Sequence, residues 1–87
     1  METFVSSGDQ CLADITSALH TRDFDTIGKR AHALKGASAN IHAQALAAAA
    51  STLENAARRN SADQIDGLVR ELREKLQAVN AELRTGR

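Results

Sequence analysis

Apolar residues recur three and four positions apart along nearly the whole chain, and nowhere do they alternate over a strand length. That period puts side chains on one stripe of a helix. The options narrow to amphipathic helices packed stripe against stripe. Four stripes are legible. The first is Phe4, Val5, Gly8, Cys11, Leu12, Ile15 and Leu19. The second is Phe24, Ile27, Ala31, Leu34, Ala37 and Ile41, with Ser38 beside it. The third is Leu46, Ala49, Ala50, Leu53, Ala56 and Ala57, and the fourth is Ile65, Leu68, Val69, Leu72, Leu76, Val79 and Leu83.

The breaks between stripes are short and polar, and they carry helix-end signals. Thr3 is read as the first N-cap, and Asp23 as the second, with Asp25 adding negative charge where the helix dipole favours it. Asn40 suits a left-handed C-terminal position. Asn60 ends the third helix, and Ser61-Ala62-Asp63-Gln64 matches an S-x-x-Q capping box. The predicted helices run over about 3–19, 23–39, 43–59 and 62–83. A tail of Arg84, Thr85, Gly86 and Arg87 is expected to fray. Four helices with short links predict one all-α domain over residues 1–87, an antiparallel up-down-up-down four-helix bundle. The small residues Ala47–Ala50 favour close helix approach. The charges on the last helix, including Glu71 and Lys75 at i, i+4, read as a solvated face.

Composition removes several classes of function. The chain has 87 residues, no proline, tryptophan or tyrosine, and two phenylalanines, so its core is aliphatic and alanine-rich. Formal net charge is zero, which gives no global attraction to nucleic acid or to an anionic membrane. No apolar run approaches the roughly 20 residues needed to span a bilayer. Met1-Glu2-Thr3 lacks the basic start of a signal peptide. Cys11 is the sole cysteine, so no internal disulfide can form, and a reducing, cytoplasmic setting is expected. His20, His32 and His42 lie ten or more residues apart with no metal-ligand spacing, so no metal or cofactor is expected.

His32 is the residue that the stripes do not absorb. It lies well away from the centre of the second apolar face. Its helical neighbours are Gly28, Gly36 and Ala39, and Lys29 and Lys35 stand three residues to either side. Mid-helix glycine costs about 0.5–1 kcal/mol relative to alanine. Two glycines, each one turn from a histidine, therefore imply clearance for a partner. A neutral imidazole nitrogen is a good nucleophile near neutral pH, and phosphoryl transfer needs in-line access and nearby positive charge rather than further covalent chemistry. Cys11 reads as core, His20 as surface, and Ser38 as a packing or helix-bonding residue at the edge of this face.

The stretch His32-Ala33-Leu34-Lys35-Gly36-Ala37-Ser38-Ala39-Asn40-Ile41 closely resembles the H-x-L-K-G-x-[SA] signature of histidine-containing phosphotransfer (HPt) domains of bacterial phosphorelays. Asp23-Phe24, Ala31, and Leu46 with Leu53-Glu54 in the next helix also look like that family. The likeness covers about Ala18 to Ala57, and helix count and order agree over the rest. The resemblance implies that His32 accepts a phosphoryl group, on Nε2, from the aspartyl phosphate of a response-regulator receiver domain and passes it to another receiver. It implies that Lys35 stabilises the phosphoryl charge, that Gly36 leaves room for the receiver, and that Gly28, Lys29 and Ala39 border the docking surface. Magnesium is then expected in the receiver, and none in this domain. The family often has a glycine where this chain has His42, which is read as a turn residue. Many members also carry a further N-terminal helix. The implied setting is a free-standing carrier or the C-terminal segment of a hybrid sensor histidine kinase, the receivers being in the same parent chain or separate.

Two other readings compete. A non-catalytic interaction module would dock a partner on the Gly28, His32 and Gly36 face without phosphoryl chemistry. The dimerisation helices of a histidine kinase also expose a phosphorylatable histidine, but usually follow it with an acidic residue where this chain has Ala33. They also need two chains for four helices. A monomer that does not phosphorylate itself from ATP is expected, since the chain has no glycine-rich ATP-binding motif.

Overall fold

The computed structural model describes residues 2–84. Its four helices are α1 (Glu2–Thr21), α2 (Phe24–Asn40), α3 (Gln44–Arg58) and α4 (Ala62–Arg84). Each helix packs on the next, and α4 closes back on α1, giving a bundle with extents of 37 × 20 × 18 Å. The α2–α3 seam is the most extensive and the α1–α4 seam the lightest. The expected all-α four-helix bundle is what forms, with helix ends displaced by one or two residues. Helix α1 begins at Glu2, so Thr3 lies inside it and is not its N-cap. Of the expected frayed tail, Arg84 still belongs to α4, and Thr85, Gly86 and Arg87 lie outside the described residues.

One turn geometry is used at all three connections. Arg22, His42 and Asn60 adopt left-handed φ values of 59°, 61° and 55°. In each case the amide of that residue donates three residues back, to Leu19, Ala39 and Ala57 respectively. The following amide reaches five back: Asp23 to Ala18 at 2.9 Å, Ala43 to Ser38 at 2.9 Å and Ser61 to Ala56 at 3.0 Å. These are the paired bonds of a Schellman ending. The accepting residues Ala18, Ser38 and Ala56 are small and buried, so the chain folds back close to the helix it leaves. The left-handed position after α2 is therefore His42 and not Asn40, which remains helical.

The residue after each left-handed position starts the next helix, and the three starts differ. Asp23 accepts from the Thr26 amide at 3.2 Å and the Thr26 hydroxyl at 2.6 Å. The hydroxyl bond, then the amide bond, hold its carboxyl below its ordinary pKa. Ala43 offers no side-chain cap to α3. Ser61 does not form the predicted capping box. Its amide is already taken by Ala56, which pre-empts the return bond from Gln64, and only its carbonyl receives the amides of Gln64 and Ile65. Glu71 and Lys75 likewise make no ion pair among the described residues. On an exposed face, fixing two long side chains gains little.

The core is aliphatic and alanine-rich as expected. Ile15, Ile27, Leu34, Leu46, Leu53, Ile65, Leu72 and Leu76 are its large buried members, and Ala31, Ala50 and Ala56 fill between them. Cys11 is half-buried against this core, and burial raises its thiol pKa. Three polar side chains are also buried among the described residues, Ser38, Glu54 and Asn80. Ser38 donates to the Leu34 carbonyl at 2.7 Å and lies wholly inside, not at the edge of a docking face. Asn80 donates to Asp9 at 3.0 Å and ties α4 to α1.

Candidate functional site

Helix α2 buries Ile27, Ala31, Leu34 and Ser38 and presents His32 outward, with 65% of its side chain exposed. The ring does not stand alone. Its Nδ1 lies 3.0 Å from Oε2 of Glu54 on α3, a carboxylate whose side chain is only 7% exposed. The same oxygen receives Arg58, one turn further along α3, at 2.6 Å. A carboxylate that accepts from Arg58 also accepts from histidine, so Nδ1 carries a proton, and in the neutral ring Nε2 keeps its lone pair. Nε2 has no hydrogen-bond partner among the described residues. The arrangement therefore fixes the ring's orientation and tautomer and turns a nucleophilic nitrogen to the surface.

The residues expected around His32 divide into two kinds. Gly36 is exposed, and a Cβ built there meets nothing within 4 Å. Ala33, Lys35 and Ala39 are exposed beside it. Lys35 has no ion pair among the described residues, whereas Lys29 pairs with Asp25 at 3.1 Å and Arg30 with Asp14 at 3.4 Å. Gly28 departs from the expectation of open surface. It is buried, and its absent Cβ would lie 3.7 Å from the Ala57 Cβ and 4.0 Å from Arg58. Those are ordinary contact distances, and the residue forms part of the lining of a cleft one turn from the histidine. His20 is exposed on the α1–α4 side of the bundle, and His42 is exposed at its turn.

A family model for the Hpt domain matches residues 1–82. The chain belongs to the Hpt domain family. No curated protein and no solved structure matches it. Hpt domains perform histidine phosphotransfer in phosphorelays, and they do so in contact with receiver domains. The class is one of phosphocarriers rather than kinases. In this Hpt domain, no group of three or more histidine, cysteine or acidic side chains is placed to hold a metal among the described residues. No helix among them is long and apolar enough to cross a membrane.

Sequence reasoning did not assign roles to Glu54 and Arg58. A signal was present. The helical neighbours of Glu54 at four before and three after are Ala50 and Ala57, both on the apolar stripe, and Arg58 stands at i, i+4. An acid inside a stripe with a cation one turn away marks a buried charge in need of a second partner. That the partner is His32, 22 residues earlier, depends on the register between α2 and α3 and is visible only in the fold.

Proposed function

We propose that His32 accepts a phosphoryl group on Nε2 from a receiver aspartyl phosphate and passes it to the aspartate of another receiver. The observation that carries this reading is the bond from Nδ1 to the buried Glu54, which leaves Nε2 as the free nucleophile. In the forward step the Nε2 lone pair attacks phosphorus. An N–P bond forms as the P–O bond to the aspartyl group breaks, and the aspartate leaves as a carboxylate. Both ring nitrogens are then substituted, so the ring becomes cationic beside the Glu54 carboxylate, which stabilises it. Return of the phosphoryl group to a second aspartate restores the neutral ring. Lys35, with no acidic partner among the described residues, offsets charge on the phosphoryl oxygens. Gly36 leaves space for the receiver's active-site loops, with Lys29 and Ala39 at the margin of the docked surface.

Magnesium belongs to the receiver in this scheme, and the domain contributes no metal or cofactor. It has no ATP-dependent kinase activity of its own. One chain supplies all four helices, which supports action as a monomer, and the setting is cytoplasmic. The test is incubation with a phosphorylated receiver domain. Label should move to the protein, be acid-labile and alkali-stable, and be absent in His32→Gln. Transfer to His32→Gln at the wild-type rate sinks the assignment.

A further inference from the structure

The carboxylate that orients His32 also works against it. An anion held against Nδ1 favours the protonated ring, and a protonated ring has no lone pair on Nε2. Glu54 is such an anion, with a side chain only 7% exposed and an oxygen 3.0 Å from Nδ1. We propose that Arg58 is a positioning residue that keeps His32 nucleophilic: it places a permanent positive charge on the Glu54 carboxylate, so that the ring on the other side stays neutral. The inference rests on the reading of His32 as the phosphoryl acceptor.

Two donors share one oxygen. Arg58 reaches Oε2 of Glu54 at 2.6 Å, and the same atom lies against Nδ1. The guanidinium is therefore within about 6 Å of the ring, close enough for its charge to disfavour a second cation there. The other charged groups near the ring are Lys29 and Lys35, three residues to either side on its own helix. Both are exposed, and Asp25 already offsets Lys29 at 3.1 Å. Among the described residues, no hydrogen bond or ion pair joins the ring to α1 or α4. The Glu54 charge is thus answered from its own helix, one turn on. Hydrogen bonding alone does not call for arginine at that place. A neutral amide would also donate to the carboxylate, but would leave its charge uncompensated. A guanidinium stays charged throughout the range in which imidazole titrates, so the compensation never lapses. The pair also differs from Lys29–Asp25, where water surrounds both partners; Glu54 is buried, and its charge is little screened.

Arg58→Gln keeps a donor to Glu54 and removes the charge, whereas Arg58→Lys keeps the charge. The rate of phosphoryl acceptance from one phosphorylated receiver is read as the ratio of variant to wild type, so that the receiver's own pH dependence cancels. For Arg58→Gln the ratio should fall to about one third or less near pH 6 and return to about one near pH 8.5. For Arg58→Lys it should stay close to one throughout. In the free protein, the chemical shift of the His32 ring carbon proton should show the Arg58→Gln ring taking its second proton at higher pH than the wild-type ring. Arg58→Met should move the same titration in the same direction and guards against a fault of folding peculiar to the amide, with circular dichroism as the check. Identical ring titrations in wild type, Arg58→Gln and Arg58→Met overturn the proposal. So does a loss of rate that is equal at every pH, which would set Arg58 against the phosphoryl group or the receiver instead. A wild-type protein that takes no label from any phosphorylated receiver overturns the reading of His32; the ring titration needs no receiver and still decides the role of Arg58.

Discussion

A histidine on a helix surface is ordinarily free to choose its tautomer; His32 is not, because a buried carboxylate has chosen for it. Replacement of Glu54 by leucine tests that constraint. Alanine neighbours on the stripe accept an apolar side chain, and exchanging a buried charge for a well-packed apolar group is often neutral for stability. In Glu54→Leu, phosphoryl acceptance should fall on the order of 10- to 100-fold, the range typical for loss of a histidine's orienting partner. Ring nitrogen chemical shifts should show Nδ1 losing its proton share at neutral pH, a change that a purely structural role would not produce. Gly36 tests clearance rather than chemistry. Gly36→Gln should keep or slightly raise thermal stability, because the side chain meets nothing and glycine is the poorer helix former. Transfer from a receiver should nonetheless fall sharply, and transfer at the wild-type rate would show that the open space has no bearing on docking.

At the scale of helices and turns, most of the architecture was legible before any coordinates. The stripes named the buried faces, because period and burial are both local properties of one helix. Asp23 declared itself as a cap because its partner, Thr26, lies in the next turn. The errors arose where two local signals compete for one group. The Ser61 amide cannot bond both Gln64 and Ala56, and the turn geometry awards it to Ala56. Asn40 is a good left-handed residue, yet the turn falls two residues later, on His42. His42 at φ 61° occupies a conformation that costs L-residues roughly 1–2 kcal/mol and glycine nothing. His42→Gly should therefore stabilise the protein by up to about 1 kcal/mol in urea denaturation, with transfer unchanged; lower stability would mean that the exposed imidazole contributes more than its backbone costs.

Across the whole molecule, the site lies on the firmest seam. Helices α2 and α3 make the most extensive contact, and both His32 and the residues that hold it belong to them. The α1–α4 seam is the lightest and includes Asn80, whose Oδ1 is buried without a partner among the described residues. Amide hydrogen exchange should accordingly be slowest in the centres of α2 and α3, around Leu34 and Leu53, and faster in α1, which opens along its seam with α4. Uniform protection of all four helices would show that the bundle opens only as a unit. The contact between His32 and Glu54 could not be read from sequence for the same reason that it is stable. It is a property of register between two helices, and register is set by the entire packed seam.

The three identical turns have a consequence for the speed of a relay. Each ties the chain back to the helix it leaves, so the helix that carries His32 is pinned at both ends. A face that is already formed loses little conformational entropy on contact. Affinity then need not be high to hold the reacting atoms in line, and a weakly held partner leaves quickly. If His32 carries the phosphoryl group as proposed, such a domain would exchange one receiver for the next without refolding.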